Sequence, residues 1–292
     1  MARGAYMEKA RYAAFVSDGG TFEKTLISPP VEARALWSIG RGQSPIVATA
    51  IHEGHAIRDD LLDLYAIDHD ERLREEDPYT EFTMRDVPNR IVFHRSRFEV
   101  DINRARDGAV YLTPEQAWGL RVWTDALSHE QVDTSLQVHD AYYDMLRNVL
   151  RGIEREHGHF VLLDIHSYNH RRDGPDAAPT PEAQAPDINI GTFSMDRARW
   201  APIIDTLIDH FRSFDIDGRR LDVRENVAFQ GKGEQTRFIH EHFPLTGCAI
   251  AIEFKKFFMD EWTGEPDMHV LSQLRNIVAT AVPVLEKALM DR

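Results

Sequence analysis

Apolar runs along this chain repeatedly stop in polar, chemically versatile residues. Phe160 to Leu163 is unbroken and apolar, as a strand buried on both faces requires, and it gives way to Asp164, His166, Ser167 and, further on, His170. Ile46 to Ile51, rich in β-branched residues, runs straight into His52, Glu53, Gly54 and His55. Cys248 to Ile252 ends in Glu253, a carboxylate that is costly at the end of an apolar strand unless it is hydrogen-bonded, metal-linked or catalytic. Shorter strands are expected at Ile91 to Phe93, at Ile188 to Phe193 with Gly191 near its end, and within Leu221 to Phe229. Between Ser135 and Glu156 the residues Leu136, Tyr143, Leu146, Val149, Leu150 and Ile153 recur at helical spacing, so an amphipathic helix feeds the Phe160 strand. A second helix is predicted over 200–211, with Ile203, Ile204, Leu207 and Ile208 on its apolar side. Helices alternating with buried strands predict an α/β fold: one domain over 1–292 with a mixed, largely parallel sheet flanked by helices. Its site is expected at the carboxyl ends of the strands.

The remaining segments are less patterned. Residues 1–45 read as an irregular N-terminal segment, and Leu61, Leu62 and Leu64 suggest a short helix in the acidic stretch 58–76. The charged run from Arg74 to Asp77 reads mainly as a helix end stopped by Pro78. From Arg95 to Arg104 apolar and polar residues alternate, which suits either a salt-bridged surface strand or, given the arginines, a carboxylate-binding segment. Thr113 and Pro114 mark a helix start. Residues 171–186, rich in Pro, Ala and Asp, are expected as a mobile loop beside the site, and 230–234 as a flexible loop whose glycine spacing does not make a phosphate cradle. A C-terminal helix over 266–292 is expected to be interrupted or ended near Pro283.

Composition narrows the partners. With 292 residues and 42% hydrophobic content the chain can bury a full core. No apolar run approaches the roughly 20 residues of a membrane span, and no secretory signal pattern opens the chain, so a cytoplasmic protein is expected. The single cysteine, Cys248, sits in an apolar run and reads as core. A formal net charge of -14 argues against nucleic acid and anionic membranes, and an anionic substrate would need a local arginine cluster.

Three strands thus end in His52, His166 and Glu253. Two imidazoles with one further N or O ligand and an open position describe a catalytic zinc site, and a separate carboxylate describes the base that activates its water. A serine triad is poorly supported, because no Gly-x-Ser-x-Gly elbow is present. A non-catalytic binding protein on the same scaffold is the competing reading from another class.

From the His52 strand to Trp262 the sequence resembles the N-formylglutamate amidohydrolases, relatives of the zinc carboxypeptidases. The resemblance rests on His-x-Gly at 52–54, Ser-Arg-Phe-x-Val-Asp-Ile-Asn-Arg at 96–104 and Asp-Ile-His-Ser at 164–167. Pro-Asp-Ile-Asn-Ile-Gly-Thr at 186–192, Asn226, Ile-Glu at 252–253 and Phe-Met-Asp-Glu at 258–261 continue it in order. It implies a carboxypeptidase or phosphorylase-hydrolase-like fold. It also implies one divalent metal ion, zinc by preference, on His52 and His166, and Glu253 as general base. Asn103 and Arg104 match the pair that holds a substrate carboxylate, with Arg97, Lys256 and Asn226 as further substrate contacts. Carboxypeptidases carry glutamate three residues after the first histidine; here His55 stands there, so the third ligand is expected to be His55, or else Glu76 or Asp77. Lys256 replaces the family's arginine three residues beyond the base. The implied reaction is hydrolysis of an N-acyl, preferably N-formyl, acidic amino acid, and a carboxypeptidase-like peptidase is the nearest alternative.

Overall fold

The computed structural model describes residues 35–292. Residues 1–34 of the expected N-terminal irregular segment 1–45 lie outside them. Its final part forms a short strand, β1 (Trp37–Gly40). The strands that follow are β2 (Ile46–Ala50), β3 (Asn89–Phe93), β4 (Phe160–Tyr168) and β5 (Ile188–Gly191). They continue with β6 (Asp215–Ile216), β7 (Arg219–Arg220), β8 (Val223–Glu225) and β9 (Gly247–Lys255). The helices are α1 (His69–Glu75), α2 (Thr80–Thr83), α3 (His129–His157), α4 (Ala201–Arg212), α5 (Glu234–His242) and α6 (Met268–Met290). One seven-stranded sheet runs in the order β1-β3-β2-β4-β9-β5-β8, while β6 and β7 form a separate hairpin. β3, β2, β4 and β9 are parallel neighbours. β1 is antiparallel to β3 at one edge, and β5, itself parallel to β8, is antiparallel to β9. The sheet is therefore mixed and largely parallel, as the alternation of helices and strands predicts.

Both faces of the sheet are covered, which is why its central strands read as continuous apolar runs rather than alternating ones. Val161, Leu163 and Ile165 of β4, with Ile250 and Ile252 of β9, pack toward Ile204 and Leu207 of α4 and Leu274 and Ile277 of α6. Phe160 and Leu162, on the opposite face, pack with Tyr142, Leu146 and Leu150 of α3 and Ile239 of α5. Helix α3 starts in a capping box, in which Ser128 Oγ accepts from Gln131 N at 3.2 Å and Gln131 Oε1 accepts from Ser128 N at 2.8 Å.

Several elements depart from the sequence pattern. Helix α6 continues through Pro283, because Val278, Ala281, Val282 and Leu285 bury a stripe on either side of it. Tertiary burial there outweighs a proline penalty of about 3 kcal/mol. The Thr113 start leads only to a 3-10 turn, Pro114–Ala117. The alternating stretch 95–104 is not a strand but a series of turns, held by backbone bonds such as Val100 N to Ser96 O at 3.2 Å and Asp101 N to Ala109 O at 2.7 Å. Helix α5 follows directly on the 230–234 loop. Among the described residues, no helix is long and apolar enough to cross a membrane.

The chain leaving β2 must pass close to the chain leaving β3, and Gly54 makes this possible. A Cβ at residue 54 would lie 2.3 Å from the His94 carbonyl carbon and 2.6 Å from Arg95 O, both backbone atoms that cannot swing away. Gly54→Ala is therefore expected to destabilise the fold by about 2 kcal/mol, the usual scale of overpacking. Thermal or urea unfolding checks this, and a variant as stable as the parent would show that the two segments separate freely.

Candidate active site

Three segments far apart in sequence converge at the carboxyl end of the sheet. His52 follows β2, His166 lies near the end of β4, and Asp77 follows α1; all three side chains are buried. Asp77 Oδ2 lies 3.0 Å from His166 Nδ1 and 3.3 Å from His52 Nδ1. Each residue offers one ligand atom, and the three atoms lie within 4.8 Å of one another. The far nitrogen of each ring faces a second carboxylate: His52 Nε2 is 2.8 Å from Asp101 Oδ1, and His166 Nε2 is 3.2 Å from Asp164 Oδ2. Carboxylates behind imidazoles fix ring orientation and tautomer, as outer-shell partners of metal ligands do. Two imidazoles and a carboxylate, each with a near atom turned to a common point, therefore fit a divalent transition metal.

The electrostatics follow from burial and pairing. Burial by itself would raise the Asp77 carboxyl, but bonds to His166 and His52 hold it well below the usual carboxylate range. Burial would likewise raise Asp101, and Arg97 and His52 hold it well below. Burial would lower the His166 imidazole, yet Asp164 and then Asp77 carry it well above an ordinary histidine. This point in the fold is built to hold positive charge.

Glu253 is register-paired with His166 across β4 and β9, which turns both side chains toward the same face of the sheet. Burial pushes its carboxyl up to about 7. His52, Asp77, His166 and Glu253 line one cleft of about 260 Å³, together with Arg97, Asn103, Arg104, Trp118, Arg172, Lys232 and Lys256.

The expected site residues thus divide. His52, His166 and Glu253 come together. His55 is not the third member: its ring is bound by Glu76 and His69, with Nε2 2.8 Å from His69 Nδ1. Glu76 bonds His55 and Ser96. Its backbone is extended, so the next residue, Asp77, points the opposite way, toward the histidines. Asn226 lies outside the lining of the cleft. It adopts the left-handed conformation at φ 57° and ties β5 to β8, accepting from Thr192 N at 3.0 Å and donating to Thr192 Oγ1 at 2.9 Å. Arg97 faces the cleft but is committed to Asp101 at 2.8 Å. Lys256 is fully buried, with Nζ donating to Arg74 O at 2.6 Å and Glu76 O at 2.7 Å. Asn103 lines the cleft and accepts from Gln235 N at 3.3 Å. Arg104 is the more open of the two cleft arginines in this segment, its side chain 38% exposed against 13% for Arg97. Its guanidinium stands over Tyr111 and Trp118, at 5.2 and 5.8 Å from the ring centroids. His170 bonds Glu261 away from the cleft.

No supporting role for Asp101, Asp164 or Gln235 is predicted from the sequence. Gln235, on α5, donates to Asp164 Oδ1 at 2.6 Å and Thr49 Oγ1 at 2.8 Å, and Thr49 donates to the same Asp164 oxygen at 2.9 Å. The available signal is position: Asp101 and Asp164 each stand two residues before a candidate site residue, Asn103 and His166.

Residues 44–259, most of the chain, match the family model of N-formylglutamate amidohydrolase. No curated protein matches the chain. Among solved structures it is similar to an N-formylglutamate amidohydrolase from Ralstonia eutropha JMP134, at 15% identity and a TM-score of 0.69, covering 88% of this chain and 100% of that one. It is also similar to a gene product of Agrobacterium tumefaciens, at 14% identity and a TM-score of 0.60, covering 87% and 97%. Because that family model spans well over half of the chain, residues 44–259, the chain belongs to the N-formylglutamate amidohydrolase family.

Proposed function

We propose that the protein is a zinc-dependent amidohydrolase that cleaves an N-formyl acidic amino acid, such as N-formyl-L-glutamate, to formate and the free amino acid. The observation that carries this reading is the meeting in one cleft of three metal-binding groups, His52, Asp77 and His166, with Glu253 beside them on the same sheet face. A divalent ion held by these three residues would supply positive charge to polarise an acyl oxygen and to make a neighbouring water acidic, with a pKa near roughly 7. Glu253 takes the proton from that water as it attacks the formyl carbon. The same carboxyl then delivers the proton to the nitrogen, which cannot leave as an anion. Asp101 and Asp164 hold the imidazoles in place behind the reaction.

Arg104 receives the substrate's α-carboxylate, because its guanidinium is the more open one beside Asn103. Arg97 and Lys256 are occupied by buried partners, whereas Arg172, 3.5 Å from Glu75 and about half exposed, and Lys232 stand at the cleft to meet a side-chain carboxylate. These local cations offset the repulsion that an acidic protein exerts on an anionic substrate.

Only the ionised form of Glu253 can act as base, and its carboxyl titrates at about 7. A divalent ion beside the carboxyl lowers that value, so turnover of zinc-loaded enzyme is expected to be lost as the pH falls on the acid side of neutrality. Glu253→Gln is expected to keep its zinc and lose about 10²- to 10⁴-fold in kcat. A glutamine variant of near-native kcat would remove Glu253 from this role. Arg104→Ala is expected to raise KM for N-formyl-L-glutamate about tenfold or more while kcat changes less, as loss of a charge-assisted contact does. Steady-state kinetics decide, and an unchanged KM places the carboxylate elsewhere.

A further inference from the structure

Three consecutive carbonyls precede the Asp77 peptide, and each is held by a side chain from elsewhere in the fold. Arg74 O accepts from Lys256 Nζ at 2.6 Å and from Asn169 Nδ2 at 2.9 Å. Glu75 O accepts from Arg97 Nη1 at 3.3 Å, and Glu76 O from Lys256 Nζ at 2.7 Å. The carbonyls at the end of α1 have no partners within the helix, and the helix dipole makes that end negative, so an ammonium is the natural group to close it. Lys256 alone touches two of the three, one on each side of Glu75, the last residue of α1, and the second is the carbonyl of Glu76, where the backbone becomes extended. Immediately after that turn Asp77 N donates to His52 O at 2.9 Å, and the carboxylate reaches both imidazoles.

We propose that Lys256 is a positioning residue for Asp77, its ammonium clamping the Arg74 and Glu76 carbonyls so that the carboxylate faces His52 and His166. The inference rests on the reading of those three residues as a metal site. Lys256 is fully buried and its backbone N–H donates to Tyr168 O at 3.0 Å, so the clamp is anchored to the last residue of β4. The same segment carries Glu253 three residues earlier. Lys256 directly follows β9, so one stretch of chain carries both the base and, in Lys256, the clamp on the third metal-binding group. This role differs from the contact with a substrate carboxylate that the residue type suggests, and the two roles predict different defects.

Zinc affinity by competition with a chromophoric chelator, measured beside KM for N-formyl-L-glutamate at saturating zinc, separates them. Lys256→Met keeps the apolar stem and removes the donors. It is expected to bind zinc about 10- to 100-fold more weakly, the usual cost of losing an outer-shell support, with KM at saturating zinc within about threefold of the parent. Lys256→Arg, which again offers several N–H groups to the two carbonyls, is expected to recover most of the zinc affinity. Native zinc affinity in Lys256→Met, with or without a raised KM, overturns the proposal. Should Lys256→Met fail to fold, Lys256→Gln, whose arm is too short to span both carbonyls, is read by the same two numbers. A parent protein that takes up no zinc would instead sink the metal reading itself, before any variant is compared.

Discussion

The site depends on one carboxylate shared by two imidazoles. Asp77 Oδ2 stands 3.0 Å from one histidine and 3.3 Å from the other, with all three side chains buried. A buried carboxylate without partners is strongly unfavourable, so the fold has to bring the histidine-bearing strand ends to it. β2 and β4 do this as parallel neighbours, and the 74–77 segment crosses their ends. Negative charge is then concentrated behind the rings by Asp101 and Asp164. The result is a pocket that a cation stabilises.

The cations of the cleft serve two purposes. Arg97 and Lys256 are consumed in building it, the first against Asp101 and the second against the helix-end carbonyls. Arg104, Arg172 and Lys232 remain on its wall, facing whatever enters. In a protein of formal net charge -14, this division sets an acidic inner site beside a wall that carries cations.

Much of the fold was legible in the sequence because burial on both faces writes itself as uninterrupted apolar runs. β2, β4 and β9 carry such runs, and α3 and α4 carry a clear helical period. β1 leaves no such mark because it is a half-exposed edge, and α5 because Glu234–His242 carries little apolar surface and is held partly by polar bonds from Gln235. His52, His166 and Glu253 could be found because each interrupts or ends an apolar strand. Asp77 could not be singled out, since in the run from Arg74 to Asp77 every charged residue looks alike until the backbone turn sends Glu76 one way and Asp77 the other. The internal partners of Arg97, Lys256 and Asn226 are hidden from the sequence for a related reason. Residue type announces what a group can bind, but not that a carboxylate, a carbonyl or a threonine elsewhere in the chain already occupies it.

Zinc titration of three proteins, the parent, Asp77→Asn and His55→Ala, is the most direct test of this arrangement. The account predicts one ion per chain in the parent and in His55→Ala, and affinity at least about tenfold weaker in Asp77→Asn, where a neutral amide replaces the shared carboxylate. Loss of the ion in His55→Ala with native binding in Asp77→Asn would contradict it.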